Sequence, residues 1–298
     1  MTKNLHLEHP EDMILTGDMS VLDWFGAISD VSVKMDGAPA IVWGTNPENG
    51  KFFVGTKSVF NKVKIKICYT HEDIFNLYSE QESLAEVLST CLDFLPRTDS
   101  IYQGDFIGYG GDSKYTPNTI TYDFGSNVDS IIIVCPHTEY TGASLREVTA
   151  KPLNDTLNST RDVLFVQPTV DCTVRFADSA ESIRKSVSKS KFLTDKQAKE
   201  VKIIINQFIR QGKTLNPFLL EEILGDHKLM VSYLQIVDLK EQMMEAMHIY
   251  DGPAAFIKDQ PIDAEGFVRT NKYGSMKLVD RYQFSRANFT NGRFQANV

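Results

Sequence analysis

The feature that most restricts the fold is a set of three short apolar runs, each broken by isolated charge, lying at opposite ends of the chain. The first is Val31-Ser-Val-Lys-Met-Asp-Gly-Ala-Pro-Ala-Ile-Val-Trp43. The others are Ala264-Glu-Gly-Phe-Val268 and Ser275-Met-Lys-Leu-Val279. Short apolar runs of this kind read as strands, and Gly37 marks a turn between two of them. A fold that draws strands from both ends must close its sheet late. Lys34 and Asp36 stand two apart, so in one extended strand they share a face. A charged pair between apolar segments packs poorly into a core but suits a reactive amine in a pocket.

Between these runs the pattern alternates and then changes. A short helix is expected in 11–29, around Val21, Leu22, Trp24 and Phe25. Strands are expected at 52–54 and 63–67, the latter with Val63, Ile65 and Ile67 on one side and Lys64 and Lys66 on the other. The spacing predicts one amphipathic helix over 71–95. Strands follow at 101–108, 118–124 and 131–135, then a short helix at 144–150 and a strand within 161–167. Residues 178–250 lose the alternation and take helical spacing through Val201, Ile204, Ile205, Phe208 and Ile209. Strands return at 254–258. The expected fold is therefore α+β: antiparallel sheets with flanking helices in a discontinuous domain, 1–177 and 251–298, carrying a helical insert at 178–250.

Composition narrows the function. The net charge of −8 argues against a general nucleic-acid coat. Yet 51–66 carries Lys51, Lys57, Lys62, Lys64 and Lys66 without an acid, and 269–293 carries Arg269, Lys272, Lys277, Arg281, Arg286 and Arg293 against Asp280. Local basic flanks of this kind suit a phosphate-rich substrate. In the insert, Arg184, Lys185, Lys189 and Lys191 offer further grip. The four cysteines are far apart and lack metal spacing, which reads as reduced thiols in a cytoplasmic protein; a monomer is expected. No long apolar run marks a membrane span.

A lysine amine attacks only when deprotonated. Attack on an α-phosphorus gives a lysyl phosphoramidate and needs cations to neutralise the departing pyrophosphate, normally Mg²⁺ with Lys or Arg. Lys34 is the candidate nucleophile. Glu265 and Asp36 are candidate metal ligands, Asp36 also a group that orients the amine, and Lys277 a candidate for the α-phosphate.

With these residues in view, Lys34-Met-Asp36-Gly37 resembles motif I, Lys-x-Asp-Gly, of the covalent nucleotidyltransferases: ATP-dependent DNA and RNA ligases and mRNA capping enzymes. Gly55-Thr-Lys57-Ser58 resembles the next motif, whose basic residue approaches the phosphates. Ile101-Tyr-Gln-Gly104-Asp105-Phe-Ile-Gly108 resembles the strand whose acid lies near the ribose, and Ser130-Ile-Ile-Ile-Val134 the strand after it. Glu265-Gly-Phe-Val268 matches motif IV, and Ser275-Met-Lys277-Leu-Val279 matches motif V in part. The resemblance spans 31–280 outside the insert and is closest to phage-type RNA ligases. It implies ATP and Mg²⁺ as cofactors and a nucleic-acid partner, RNA more than DNA. It also implies cofactor contacts from Gly37, Lys57, Asp105, Glu265, Lys272 and Lys277. Phe106, Tyr122 and Phe124 are candidates to stack on adenine. Pro39 stands where DNA ligases and capping enzymes carry arginine, which favours RNA. Motif V has only Lys277 of its usual Lys-x-Lys; Ser275 or Val279 holds the partner position, and Lys272 is expected to swing in from the turn. The chain ends too soon after Asp280 for the C-terminal OB-fold barrel. The expected activity is joining 5′-phosphate to 3′-hydroxyl ends, as in RNA repair. The alternatives are a DNA nick ligase without an OB domain and an inactive nucleotidyltransferase-like binding module.

Overall fold

The computed structural model describes residues 7–284 apart from 173, 175 and 188. The chain divides into two compact units, each built from segments distant in sequence.

The first unit comprises Met35–Pro168 and Asp251–Asp263 among the described residues. Its larger sheet runs Phe52–Gly55, Ala40–Thr45, Ile101–Tyr109, Ile132–Thr141, Thr149–Pro152, all antiparallel, with Val163–Phe165 added parallel to Ile132–Thr141. Alternation sends Ile41 and Trp43 to one face and Val42 to the other. On the first face they join Val54, Phe106, Ile132 and Val134 in a core closed by two helices. Those helices are His71–Tyr78 and Glu82–Phe94. The predicted single helix over 71–95 is thus two, because Gln81 leaves the helical region at φ −130° and ψ 64°. Thr70 opens the first with a capping box, its hydroxyl accepting from Asp73 N–H while the Asp73 carboxylate accepts from Thr70 N–H. A second sheet pairs Gln260–Ile262, Ala254–Ile257, Thr121–Asp123 and Lys114–Tyr115.

Two local expectations fail in this unit. Residues 63–67 form no strand. Lys64 adopts φ +56°, which breaks the extended run, and Val63 is 78% exposed. Only Ile67 of that apolar set packs against a core. Residues 144–150 form no helix; the chain turns there and enters the strand Thr149–Pro152.

The second unit comprises Leu7–Lys34, Thr169–Tyr250 and residues 264–284. Its larger sheet is Asp30–Lys34, Gly266–Asn271, Gly274–Val279, antiparallel throughout, and Val170–Asp171 pairs with His248–Ile249 in a second. Its helices are Ser20–Gly26, Ala177–Val187, Asp195–Arg210, Pro217–Leu224 and His227–Glu245. Their starts are written in the sequence. Thr194 and Gln197 form a capping box, Asn216 caps ahead of Pro217, and the Asp226 carboxylate accepts from Leu229 N–H. The helical residues of 178–250 do not form a core of their own. Ile183, Ile205 and Ile236 pack in one cluster with Trp24 and Phe25 and with Phe267, Met276 and Leu278 of the sheet. The contacts therefore group the expected insert with the strands that carry Lys34 and Lys277, a division different from the expected 178–250 boundary. No helix among the described residues is long and apolar enough to cross a membrane.

Candidate active site

The three-stranded sheet of the second unit sorts its side chains by register. Val33, Phe267 and Leu278 form one row, and Val31, Arg269 and Met276 the next; both face the helical core. Directly opposed residues share a face. The alternate rows are Ser32, Val268, Lys277 and Lys34, Gly266, Val279. Lys34 and Lys277 thus stand on the same, non-core face of one sheet. Glu265 lies just before the central strand, and its Oε2 accepts from Lys34 Nζ at 2.5 Å. The lysine side chain is one-third exposed and the glutamate 13%. Burial, and next the charge of Lys34, push the Lys277 ammonium below its ordinary pKa. Gly266 is required where it sits: an added Cβ would collide with the Leu278 carbonyl oxygen and press on Val279. Lys34, Glu265 and Lys277, read from three separated runs, are brought together.

Asp36 belongs to the first unit and takes a different place from the one strand alternation assigns it. The strand ends at Lys34, so the same-face relation does not extend to Asp36. Both oxygens of its carboxylate accept hydrogen bonds, from Asn118 Nδ2 and from Thr119 N–H, each at 2.9 Å. Its own N–H donates to the Tyr122 hydroxyl. Asn118 and Thr119 went unnoticed in the sequence, since nothing in their spacing marks them. Gly37 passes over the strand Ile101–Tyr109. A Cβ there would stand 2.7 Å from Asp105 Cβ and 2.9 Å from Phe106 O, and Ala38 N–H donates to that carbonyl. Gly37 and Asp105 are therefore neighbours. Asp105 also has His137 Nε2 3.9 Å from its Oδ2, a histidine given no role from sequence.

Several expected contacts are corrected. Phe106 is a core residue, 5% exposed and edge-on to Tyr109, because its side chain falls on the helix-covered face. Tyr122 is buried with its hydroxyl engaged by Asp36, and Phe124 packs edge-on against Tyr115. Lys272 sits at the hairpin tip. The Asn271–Gly274 end of the strands is five residues from Gly266, ~17 Å at strand rise, so Lys272 does not replace a second motif V lysine. It lines a cleft of about 380 Å³ that Arg184 also lines. Arg184 itself is paired with Asp23 at 2.7 Å and with Glu181 at 3.3 Å.

The basic flanks are thinner than the sequence suggests. Arg269 is buried, donating to the Trp24 and Ala27 carbonyls at the end of helix Ser20–Gly26. Arg281 is buried against Glu11 and Asp12. Arg286 and Arg293 lie outside the described residues. Lys66 donates to the Leu77 carbonyl and lies over the Tyr78 ring, while Lys51, Lys57, Lys62 and Lys64 are exposed.

Among the described residues no group of three or more His, Cys, Asp or Glu side chains could hold a metal ion. Mg²⁺ commonly takes only one or two carboxylates plus substrate phosphates. Glu265 fits that role as a single protein ligand. Asp36 fits it less well, since both its oxygens already accept hydrogen bonds.

A family model described as a family of unknown function (DUF6267) matches residues 4–221 and 217–293. The chain belongs to that family. No curated protein matches it, and no solved structure does.

Proposed function

We propose that the protein is an ATP-dependent polynucleotide ligase, acting on RNA in preference to DNA, through a covalent lysyl-AMP intermediate. One observation carries the reading. Lys34 and Lys277 share one face of a sheet, and Glu265, just before its central strand, bonds Lys34, in the chain order the motif resemblance requires. In the first step Lys34 Nζ forms a P–N bond to the α-phosphorus of ATP. The bond from that phosphorus to the bridging oxygen breaks and pyrophosphate leaves. Glu265 Oε2, already bonded to the amine, is placed to accept its proton. Lys277 offers a positive charge on the same face. A Mg²⁺ held by Glu265 and the nucleotide would neutralise phosphate charge. A 5′-phosphate oxygen then displaces the lysine, and a 3′-hydroxyl displaces AMP.

Intact-mass measurement after incubation with ATP and Mg²⁺ tests this. An AMP-sized gain should form, vanish in Lys34→Ala and slow in Glu265→Gln. An adduct that persists in Lys34→Ala removes Lys34 from the role. A second reading, a binding module without chemistry, is favoured by Ser275 and Val279, the uncharged neighbours of Lys277 on its own face. ATP binding with no adduct would select it.

A further inference from the structure

Gly274–Val279, the strand that carries Lys277, is an outer strand of its three-stranded sheet. Alternation turns the Met276 and Leu278 N–H groups toward the central strand and that of Lys277 away from it. The outward Lys277 N–H donates to the Glu8 carbonyl at 3.1 Å. An otherwise open edge is thus closed at the residue of the proposed chemistry.

The closing segment is itself tied down. The Glu8 carboxylate accepts from Lys202 Nζ, on helix Asp195–Arg210, at 3.1 and 3.2 Å. Next comes the short helix Pro10–Met13, whose Glu11 and Asp12 are buried. Arg281 Nη1 donates to Asp12 at 2.9 Å, to Glu11 at 3.3 Å and to the Tyr233 hydroxyl at 3.2 Å; its Nη2 donates to Asn206 at 2.7 Å. Lys240 Nζ donates to Glu11 at 2.7 Å. Residues 8–12 are therefore bound at both ends to one stretch of chain, at Lys277 and at Arg281. Such a cluster is a weak source of stability, because taking its charges out of water offsets much of their attraction. What the rigid guanidinium fork does supply is one fixed arrangement. The charges also reach the amine: after burial and Lys34, Arg281 lowers the Lys277 pKa, while Asp12 and Glu8 raise it.

We propose that residues 8–12 form a positioning strap for Lys277, with Arg281 as the positioning residue that holds it in place without touching substrate. That role presupposes the reading of Lys277 as the cation that meets phosphate.

Amide hydrogen exchange on the full chain reads the strap without any substrate. Arg281→Lys keeps a cation beside Glu11 and Asp12 but cannot span Asp12, Tyr233 and Asn206 at once. In that variant the Lys277 amide should exchange about tenfold faster, with the Leu278 amide unchanged. With ATP and Mg²⁺, kcat for the Lys34 adduct should fall about tenfold while KM stays within about twofold. Unchanged exchange at Lys277, or equal speeding at Lys277 and Leu278, would overturn the strap. Selective exchange at Lys277 with unchanged kcat, or a rise in KM alone, would overturn the positioning role. A wild type that forms no adduct would refute the reaction and with it that role, while exchange still decides the strap. Should Arg281→Lys fail to fold, Lys202→Ala releases the half-exposed Glu8 carboxylate, and the same two measurements decide.

Discussion

Lys277 shows how one strand position can couple fold and charge. Its partners across the sheet are Val268 and Ser32, and Lys34 stands one row away on the same face. Burial first, then Lys34, lower its pKa. Between that lowered value and the unfolded value near 10.4, the unfolded chain binds more protons than the folded one. Stability from this group therefore rises with pH across that window. Below the folded pKa the charged lysine carries its full penalty. Urea unfolding of wild type and Lys277→Met between pH 7 and 10.5 should show the wild type gaining on the variant as pH rises. Parallel curves would mean that the Lys277 amine is as well solvated in the folded chain as in the unfolded one. The clustering of Lys34, Glu265 and Lys277 was legible from sequence because isolated charges in apolar runs are rare. The Asp36 clamp was not, since Asn118 and Thr119 act through one amide and one backbone N–H.

Helix starts were the clearest elements to read, and strand 63–67 was the least. Capping needs residues of fixed type at fixed spacing, as at Thr70 and Asp73. Alternation over five residues can arise in a loop, and nothing in Val63 to Ile67 forecasts the left-handed Lys64. Phe106 failed for a related reason. The strand was correct, but the face it served depended on two register shifts against Ile132–Thr141, at Gln103/Gly104 and at Phe106/Gly108. Thr70→Ala removes the hydroxyl half of the capping box at helix His71–Tyr78 and keeps the backbone half, Thr70 N–H to the Asp73 carboxylate. Chemical denaturation should show a loss of ~1 kcal/mol. A loss under ~0.3 kcal/mol would indicate that Ile74 and Tyr78 packing alone fixes the helix start.

At the scale of the molecule, three of the basic residues are withdrawn from solvent. Arg269 and Arg281 are buried, and Lys240 faces Glu11. Lys51, Lys57, Lys62 and Lys64 of the first unit are exposed within one acid-free stretch. If RNA is the substrate, Lys62→Glu with Lys64→Glu should weaken binding, flatten its salt dependence and leave the Lys34 adduct intact. Unchanged binding across a salt titration would identify this loop as merely solvated. Domain organisation was harder to read than composition. The helical stretch 178–250 announces itself by periodicity, but periodicity does not say which sheet it covers. That is decided by Phe267, Met276 and Leu278, residues that sit far along the chain from the helices they meet.

Glu265 and Gly266 are adjacent, yet they answer to different pressures over descent. A side chain at 266 would strike the Leu278 carbonyl, whatever reaction the protein performs. Position 265 has no such steric sentence over it; its acid matters through Lys34. Under the proposed lysyl-AMP chemistry, a lineage that abandoned it would be free to lose the glutamate while remaining bound to the glycine. Among relatives of this chain, a retained glycine beside a vanished acid would therefore mark an inherited scaffold without the proposed Lys34–Glu265 pair.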